Sequence, residues 1–135
     1  MLIPELHIAL TIKTQLMSAE DITTCLGLTP SSFANKGESA RHISPGKVIN
    51  TGVHKWSSWT YILKIENSNI EEKLIEIISI CESEKQLISR ILKDGGLVEA
   101  QIRLSGKNNV GDVFCSDTLQ KLSNLGMSLS IEVFP

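Results

Sequence analysis

Leu6-His7-Ile8-Ala9-Leu10-Thr11-Ile12-Lys13 is the stretch that decides the fold. Leu6, Ile8, Leu10 and Ile12 alternate with His7, Ala9, Thr11 and Lys13, and a period of two marks a strand with one buried face. The rhythm returns three times. Trp59, Tyr61, Leu63 and Ile65 alternate with Thr60, Ile62 and Lys64, with Trp56 just ahead. Val98, Ala100, Ile102 and Leu104 alternate with Glu99, Gln101 and Arg103, and Met127, Leu129, Ile131 and Val133 form a last strand. Strands of a doubly wound parallel sheet read as continuous apolar runs instead. Clean alternation therefore points to a sheet with one wet face.

Helical stripes lie between the strands. Ser18-Ala19-Glu20-Asp21 opens the first: Ser18 accepts from the amide three residues on and Asp21 reaches back, an acidic capping box. Ile22, Cys25 and Leu26 supply its apolar stripe, and Gly27 stops it. Ile70, Leu74, Ile77, Ile78 and Cys81 recur at the three-and-four spacing of an amphipathic helix, capped by Ser68 or Asn69. The stripe resumes at Leu87, Ile88, Ile91 and Leu92. Between the two, Ser83-Glu84-Lys85-Gln86 reads as a second capping box and predicts a break near residues 82–83. Ser116 is expected to cap a short helix carrying Leu119, Leu122 and Leu125, closed by Gly126. From Thr29 to about Gly52, Pro30, Gly37, Pro45, Gly46 and Gly52 punctuate a polar stretch. It reads as a long loop with a short strand at best. A loop of that length in a compact domain is usually functional or mobile. The expected architecture is one α+β domain over residues 1–135. Its sheet is largely antiparallel, of about four to six strands, with helices packed on one face in a ferredoxin-like arrangement.

Composition narrows the function classes. A length of 135 residues suits one domain. Thirteen Lys and Arg against fifteen Asp and Glu leave a net charge of -2, which argues against wholesale nucleic-acid binding. No apolar run approaches the ~20 residues of a membrane helix. Met1-Leu2-Ile3-Pro4-Glu5 lacks the basic start of a secretory signal, so a cytoplasmic protein without membrane association is expected. Cys25, Cys81 and Cys115 are odd in number with no Cys-x-x-Cys pair, a pattern that fits neither a disulfide framework nor a zinc knuckle. Cys25 and Cys81 are expected in helix cores, where a thiol packs as a small hydrophobe.

Charge is unevenly spread. Residues 31–65 hold five bases against one acid, and residues 66–99 hold eight acids against four bases. The basic segment carries Lys36, Arg41, His42, His54 and Lys55, with Trp56 and Trp59 beside them. Cations next to aromatic faces suit an anion, a nucleotide or a nucleic-acid backbone. The same aromatics adjoin a strand and equally suit packing on the sheet. In the acidic segment Glu72 and Glu76 stand one turn apart, with Glu82 nearby, and an acidic helix face steers toward a basic partner. Glu71 and Glu72 also suit a helix N-terminus through its dipole.

Assembled chemistry is scarce. Gly106 and Gly111 have the spacing of a phosphate loop, but Asp112 stands where the lysine belongs and would repel the phosphate. His7, His42 and His54 are too dispersed for a metal site, so neither metal nor cofactor is expected. His42, His54 and Lys55 are the candidates for a nuclease-like acid–base set. Cys115 precedes a helix start, where amide dipoles would lower a thiol pKa, though no histidine is close in sequence.

The succession resembles a bacterial family, domain of unknown function 4279, over nearly the whole chain. The carriers are the first strand, Ser18-Ala19-Glu20-Asp21-Ile22-Thr23, Leu26-Gly27-Leu28-Thr29-Pro30 and Lys36-Gly37-Glu38. Gly52, Trp56 or Trp59, and the Ile70-to-Cys81 helix follow. Ser116-Asp117-Thr118-Leu119-Gln120-Lys121-Leu122 and Leu125-Gly126-Met127-Ser128-Leu129 close the series. The resemblance implies a small α+β domain and carries over no catalytic residue. The family's single tryptophan is here either Trp56 or Trp59. Its lysine-glycine-aspartate turn reads Lys36-Gly37-Glu38, which leaves a shared binding role open.

Two functions from different classes follow. The first is a non-enzymatic protein-binding module, an immunity protein that covers a cognate toxin domain, with Glu72, Glu76, Glu82, Trp56 and Trp59 as contacts. The second is a small-ligand or nucleotide-binding domain using Lys36, Arg41, His42, His54 and Lys55, with hydrolysis as an added activity.

Overall fold

The computed structural model describes residues 6–44, 47–66, 69–106 and 111–134, with the backbone alone over 39–44 and 47–51. In chain order the elements are β1 (His7–Thr14), α1 (Ala19–Leu26), β2 (Ser32–Ala34), β3 (Ser39–Ser44), β4 (Lys47–Val53) and β5 (Ser57–Lys64). There follow α2 (Ile70–Ser83), α3 (Lys85–Lys93), β6 (Leu97–Ser105), α4 (Ser116–Asn124) and β7 (Ser128–Phe134). Five strands form one sheet in the order β2-β5-β1-β6-β7, and β3 and β4 form a separate two-stranded ladder. The fold is α+β, as the alternating strands predict.

β1 sits at the centre, antiparallel to β5 on one side and to β6 on the other. Its Ile8, Leu10 and Ile12 stand in register with Leu63, Tyr61 and Trp59 and with Ile102, Ala100 and Val98. Because side chains alternate across a strand, these residues share one face. The buried side chains of the helices join that face in a single core: Ile22 of α1, Leu74, Ile77, Ile78 and Cys81 of α2, Leu87, Ile88 and Ile91 of α3, and Leu122 of α4. The opposite face carries Thr11, Lys13, Thr60, Lys64, Glu99 and Gln101 by the same register.

β5 and β6 are each antiparallel to β1 and hence parallel to one another, joined by α2 and α3. This is a split β-α-β unit. β7 lies parallel to β6, as the intervening α4 crossover requires. The ferredoxin-like arrangement is not confirmed by this order, since a parallel pair occupies the sheet edge and a hairpin is inserted before β5.

Two local expectations need correction. Residues 29–52 are largely strand: β2 pairs with β5, and β3 pairs with β4 across a register shift at Ala40/Arg41. The β3–β4 ladder is a sheet of its own in a stretch punctuated by glycine and proline, so its composition reads as loop. Pro45 and Gly46 lie outside the described residues, as do Ser68 and most of the turn placed between Gly106 and Gly111. Cys25 is exposed, while Cys81 is buried. The sheet-facing stripe of α1 is Ala19, Ile22, Thr23 and Leu26, and Cys25 is about 100° round from Leu26. Thr23 takes the inward place because its hydroxyl accepts the indole N–H of the buried Trp59 at 3.0 Å.

The helix termini follow local chemistry in part. Ser18 and Asp21 form the expected capping box, and Gly27, with φ 68°, closes α1 by donating to Thr23 O. The break between α2 and α3 falls at Glu84, one residue beyond the predicted span, without a side-chain cap bond. Ser83 Oγ instead donates back to Ile80 O at 2.7 Å.

Gly96 enters β6 where a side chain has no room. A Cβ there would stand 2.6 Å from Lys13 O and 2.8 Å from Ile91 O, both backbone atoms. Gly96→Ala is expected to lower unfolding stability by about 1–3 kcal/mol in urea titration. Gly111→Ala, whose Cβ meets nothing within 4 Å, should change it by less than about 1 kcal/mol.

Candidate partner-binding surface

The buried stripe of α2 decides which of its residues face water. With Ile70, Leu74, Ile77, Ile78 and Cys81 turned to the core, Glu72, Ile75, Glu76, Ser79 and Glu82 are exposed. Ile75 keeps 43% of its surface exposed. The three carboxylates chosen from the sequence thus share one face around an apolar side chain. Glu76 pairs with Lys73 at 3.2 Å. Glu82 also lines a cleft of about 720 Å³ between α3 and α4, together with Lys85, Lys93 and Lys121 over Leu92 and Leu125. Lys93 and Lys121 fall in the last turns of their helices, where cations suit the dipole.

The tryptophans separate. Trp59 is fully buried and stacks on Tyr61 with ring centroids 6.2 Å apart. As a direct partner contact Trp59 is therefore withdrawn: its indole is a core element fastened to α1. Trp56 is half-buried just before β5 and remains available.

The basic segment is gathered only in part. Gly37 N–H donates to His54 O at 2.9 Å and His54 N–H donates to Glu38 O at 2.8 Å, which continues the β3–β4 ladder toward the sheet. Lys36, His54 and Lys55 therefore lie at one end of the hairpin, with Lys36 and Lys55 exposed and His54 half-buried. Arg41 and His42 belong to β3, and their side chains lie outside the described residues. About 13 Å of ladder separates His42 from the His54 end, so the strand pairing does not bring the acid–base set together.

The turn before the hairpin is a fastener that the sequence motif only hinted at. Asn35 N–H donates to Glu38 Oε1 at 3.1 Å, and Glu38 N–H donates back to Asn35 O at 3.1 Å. Asn35 Oδ1 accepts the Ala19 N–H at the start of α1, and its amide donates to the Glu20 carboxylate at 2.9 Å. Hydrogen bonds from its own backbone N–H and then from Asn35 hold the Glu20 carboxyl below its usual range. Lys36 N–H donates to Ser57 Oγ at 3.1 Å.

Cys115 overturns its expectation. It occupies the N-cap of α4, the place expected of Ser116. Its backbone N–H donates to Glu71 Oε2, and its Sγ lies 3.5 Å from Glu71 Oε1. That carboxylate, by hydrogen bond and by charge, pushes the thiol pKa up rather than down. Asp112 completes the arrangement: Oδ2 accepts the Glu71 N–H at 2.8 Å and Oδ1 accepts the Val113 N–H at 2.8 Å. These amides hold Asp112 below the usual carboxylate range. Each helix start is thus served by an acid from the other segment. The aspartate that rules out a phosphate loop is a helix clasp. Burial pushes Cys81 up to about 12.

Among the described residues no group of three or more His, Cys, Asp or Glu could hold a metal ion, and no helix is long and apolar enough to cross a membrane. The profile of a domain of unknown function, DUF4279, matches residues 4–134. The chain belongs to the DUF4279 family. Comparison with curated proteins and with solved structures returns no match. In this DUF4279 domain the sequence signals that suggest the family are structural fittings. Ser18 and Asp21 cap α1, Gly27 closes it, Lys36-Gly37-Glu38 fastens the hairpin, and Ser116–Leu122 makes up most of α4.

Two measurements check the clasp. At alkaline pH, Cys115 should alkylate more slowly in the folded chain than in the unfolded one, because less thiolate is present. Glu71→Gln should raise the folded rate. Equal rates in both proteins would show that the carboxylate leaves the thiol untouched. Asp112, depressed in the fold, contributes stability that is present above its unfolded pKa and lost as pH falls through the native one. Below about pH 4 the wild-type unfolding midpoint should therefore drop more steeply than that of Asp112→Asn.

Proposed function

We propose that this DUF4279 domain is a non-enzymatic protein-binding module, and within that class an immunity protein. It would neutralise a toxin domain of a contact-dependent or other polymorphic toxin system by covering it in the cytoplasm. The observation that carries the reading is the outer face of α2, where exposed Ile75 is flanked by Glu72 and Glu76, with Glu82 exposed two turns further on. An apolar anchor ringed by polar groups is the anatomy of a binding hot spot and its rim. A toxin acting on nucleic acid or phosphate esters needs a cationic active site, and three carboxylates on one face complement it. Trp56 supplies a second contact on the other side of the molecule's sequence, at the entry to β5.

A second reading keeps the ligand-binding alternative. The pairing of Gly37 and Glu38 with His54 gathers Lys36, His54 and Lys55 at one end of the hairpin, with Arg41 and His42 farther along β3. An oligonucleotide that binds there should weaken steeply with salt. No binding at low salt removes this reading.

The test of the main proposal is calorimetry, with stopped-flow for the rate, against the protein products of the neighbouring genes. A complex is expected, and Glu72→Gln, Glu76→Gln and Glu82→Gln together should lower its association rate about tenfold or more at low salt. At high salt the difference should shrink. Absence of any complex sinks the proposal.

A further inference from the structure

We infer that the free edge of β7 is a self-association surface, taking a second copy of this chain strand to strand and antiparallel. β7 is an outer strand, paired with β6 on one side and with no strand on the other among the described residues. An outer strand presents a row of N–H and C=O groups, which proteins guard with brevity, lysine, proline or bulges. The opposite outer strand, β2, has three residues. β7 has seven, Ser-Leu-Ser-Ile-Glu-Val-Phe, with neither lysine nor proline. Its pairing with β6 runs from Ser128 to Phe134 without a register shift. On the core-side face, Ile131 is 54% and Val133 63% exposed. Apolar surface thus lies directly beside open backbone.

The charge pattern selects the occupant. Glu132 is the strand's one ionisable side chain. Two copies joined about an axis perpendicular to the sheet keep core-side residues opposite core-side residues. The axis then passes at a single residue. Placed at Ile131, it pairs Ile131 with Ile131, Leu129 with Val133, Ser130 with Glu132 and Ser128 with Phe134. All seven residues are used, and no carboxylate meets another. Placed at Glu132, it sets the two glutamates directly opposite, which is destabilising. Placed at Ser130, it runs Val133 and Phe134 off the partner strand. The Ile131 register is the longest without like-charge apposition, and it is self-complementary. Such a contact is isologous and closes at two copies. It uses none of the residues invoked for toxin binding, so either conclusion can fail alone.

Sedimentation of the 135-residue chain over a range of concentrations tests this. A particle of twice 14.8 kDa is expected to form as concentration rises. Ile131→Lys puts two cations at the axis and should halve the mass while leaving the circular dichroism spectrum unchanged. Val133→Lys, on the same exposed face, serves as a second disrupting variant. With Cys25 and Cys115 replaced by serine, Ile131→Cys should oxidise to a covalent dimer and Ser128→Cys should not. A wild-type chain of 14.8 kDa at every concentration overturns the inference. So does a dimer that survives both lysine variants, or one cross-linked through Ser128→Cys instead.

Discussion

The pairing of β1 with β5 and β6 at once governs the molecule. Ile8, Leu10 and Ile12 are fully buried, and they assign one face of the sheet to the helices. A slip of one residue would carry His7, Thr11 and Lys13 into that layer. The register therefore has little freedom, and it sets the surface as well as the core. Because α2 and α3 must cross over β1 to join β5 to β6, α2 lays Ile70, Leu74, Ile77 and Ile78 in the core. Glu72, Glu76 and Glu82 are left looking outward. The acidic face is thus a consequence of the hydrophobic one.

What the sequence discloses is what short-range chemistry controls. Four strands are legible because each alternates over a large sheet, and the capping box of α1 is legible because its two partners are three residues apart. The ladder of β3 and β4 is not legible because glycine and proline punctuate its stretch, and that composition reads as loop. Cys25 is exposed despite its apolar character, because polar Thr23 turns inward to meet Trp59. The Asp112–Glu71–Cys115 clasp joins residues more than forty apart, and no spacing rule anticipates it. Of the candidate site, the glutamates were legible through helical periodicity. The separation of Trp59 from Trp56 was not, since both adjoin one strand.

Membership of the DUF4279 family and the residues that suggest it speak to folding. They cap, stop and fasten. Fold alone does not specify function, and on α2 the apolar positions that suggest the family face the core while Glu72, Ile75 and Glu76 of the same helix face water. Glu72, Ile75 and Glu76 lie on the side of α2 that packing leaves unconstrained, so substitutions there leave the core unaltered.

The central place of an early strand also shapes how the chain is made. β1 leaves the ribosome first, yet its partner on one side follows about 50 residues later and the other roughly 90 residues later, so at translation rates of about 5–20 residues per second its apolar face waits on the order of ten seconds. Through that interval Ile8, Leu10 and Ile12 have no sheet to enter. Until β5 and β6 are made, the apolar face of the keystone strand stays open to water.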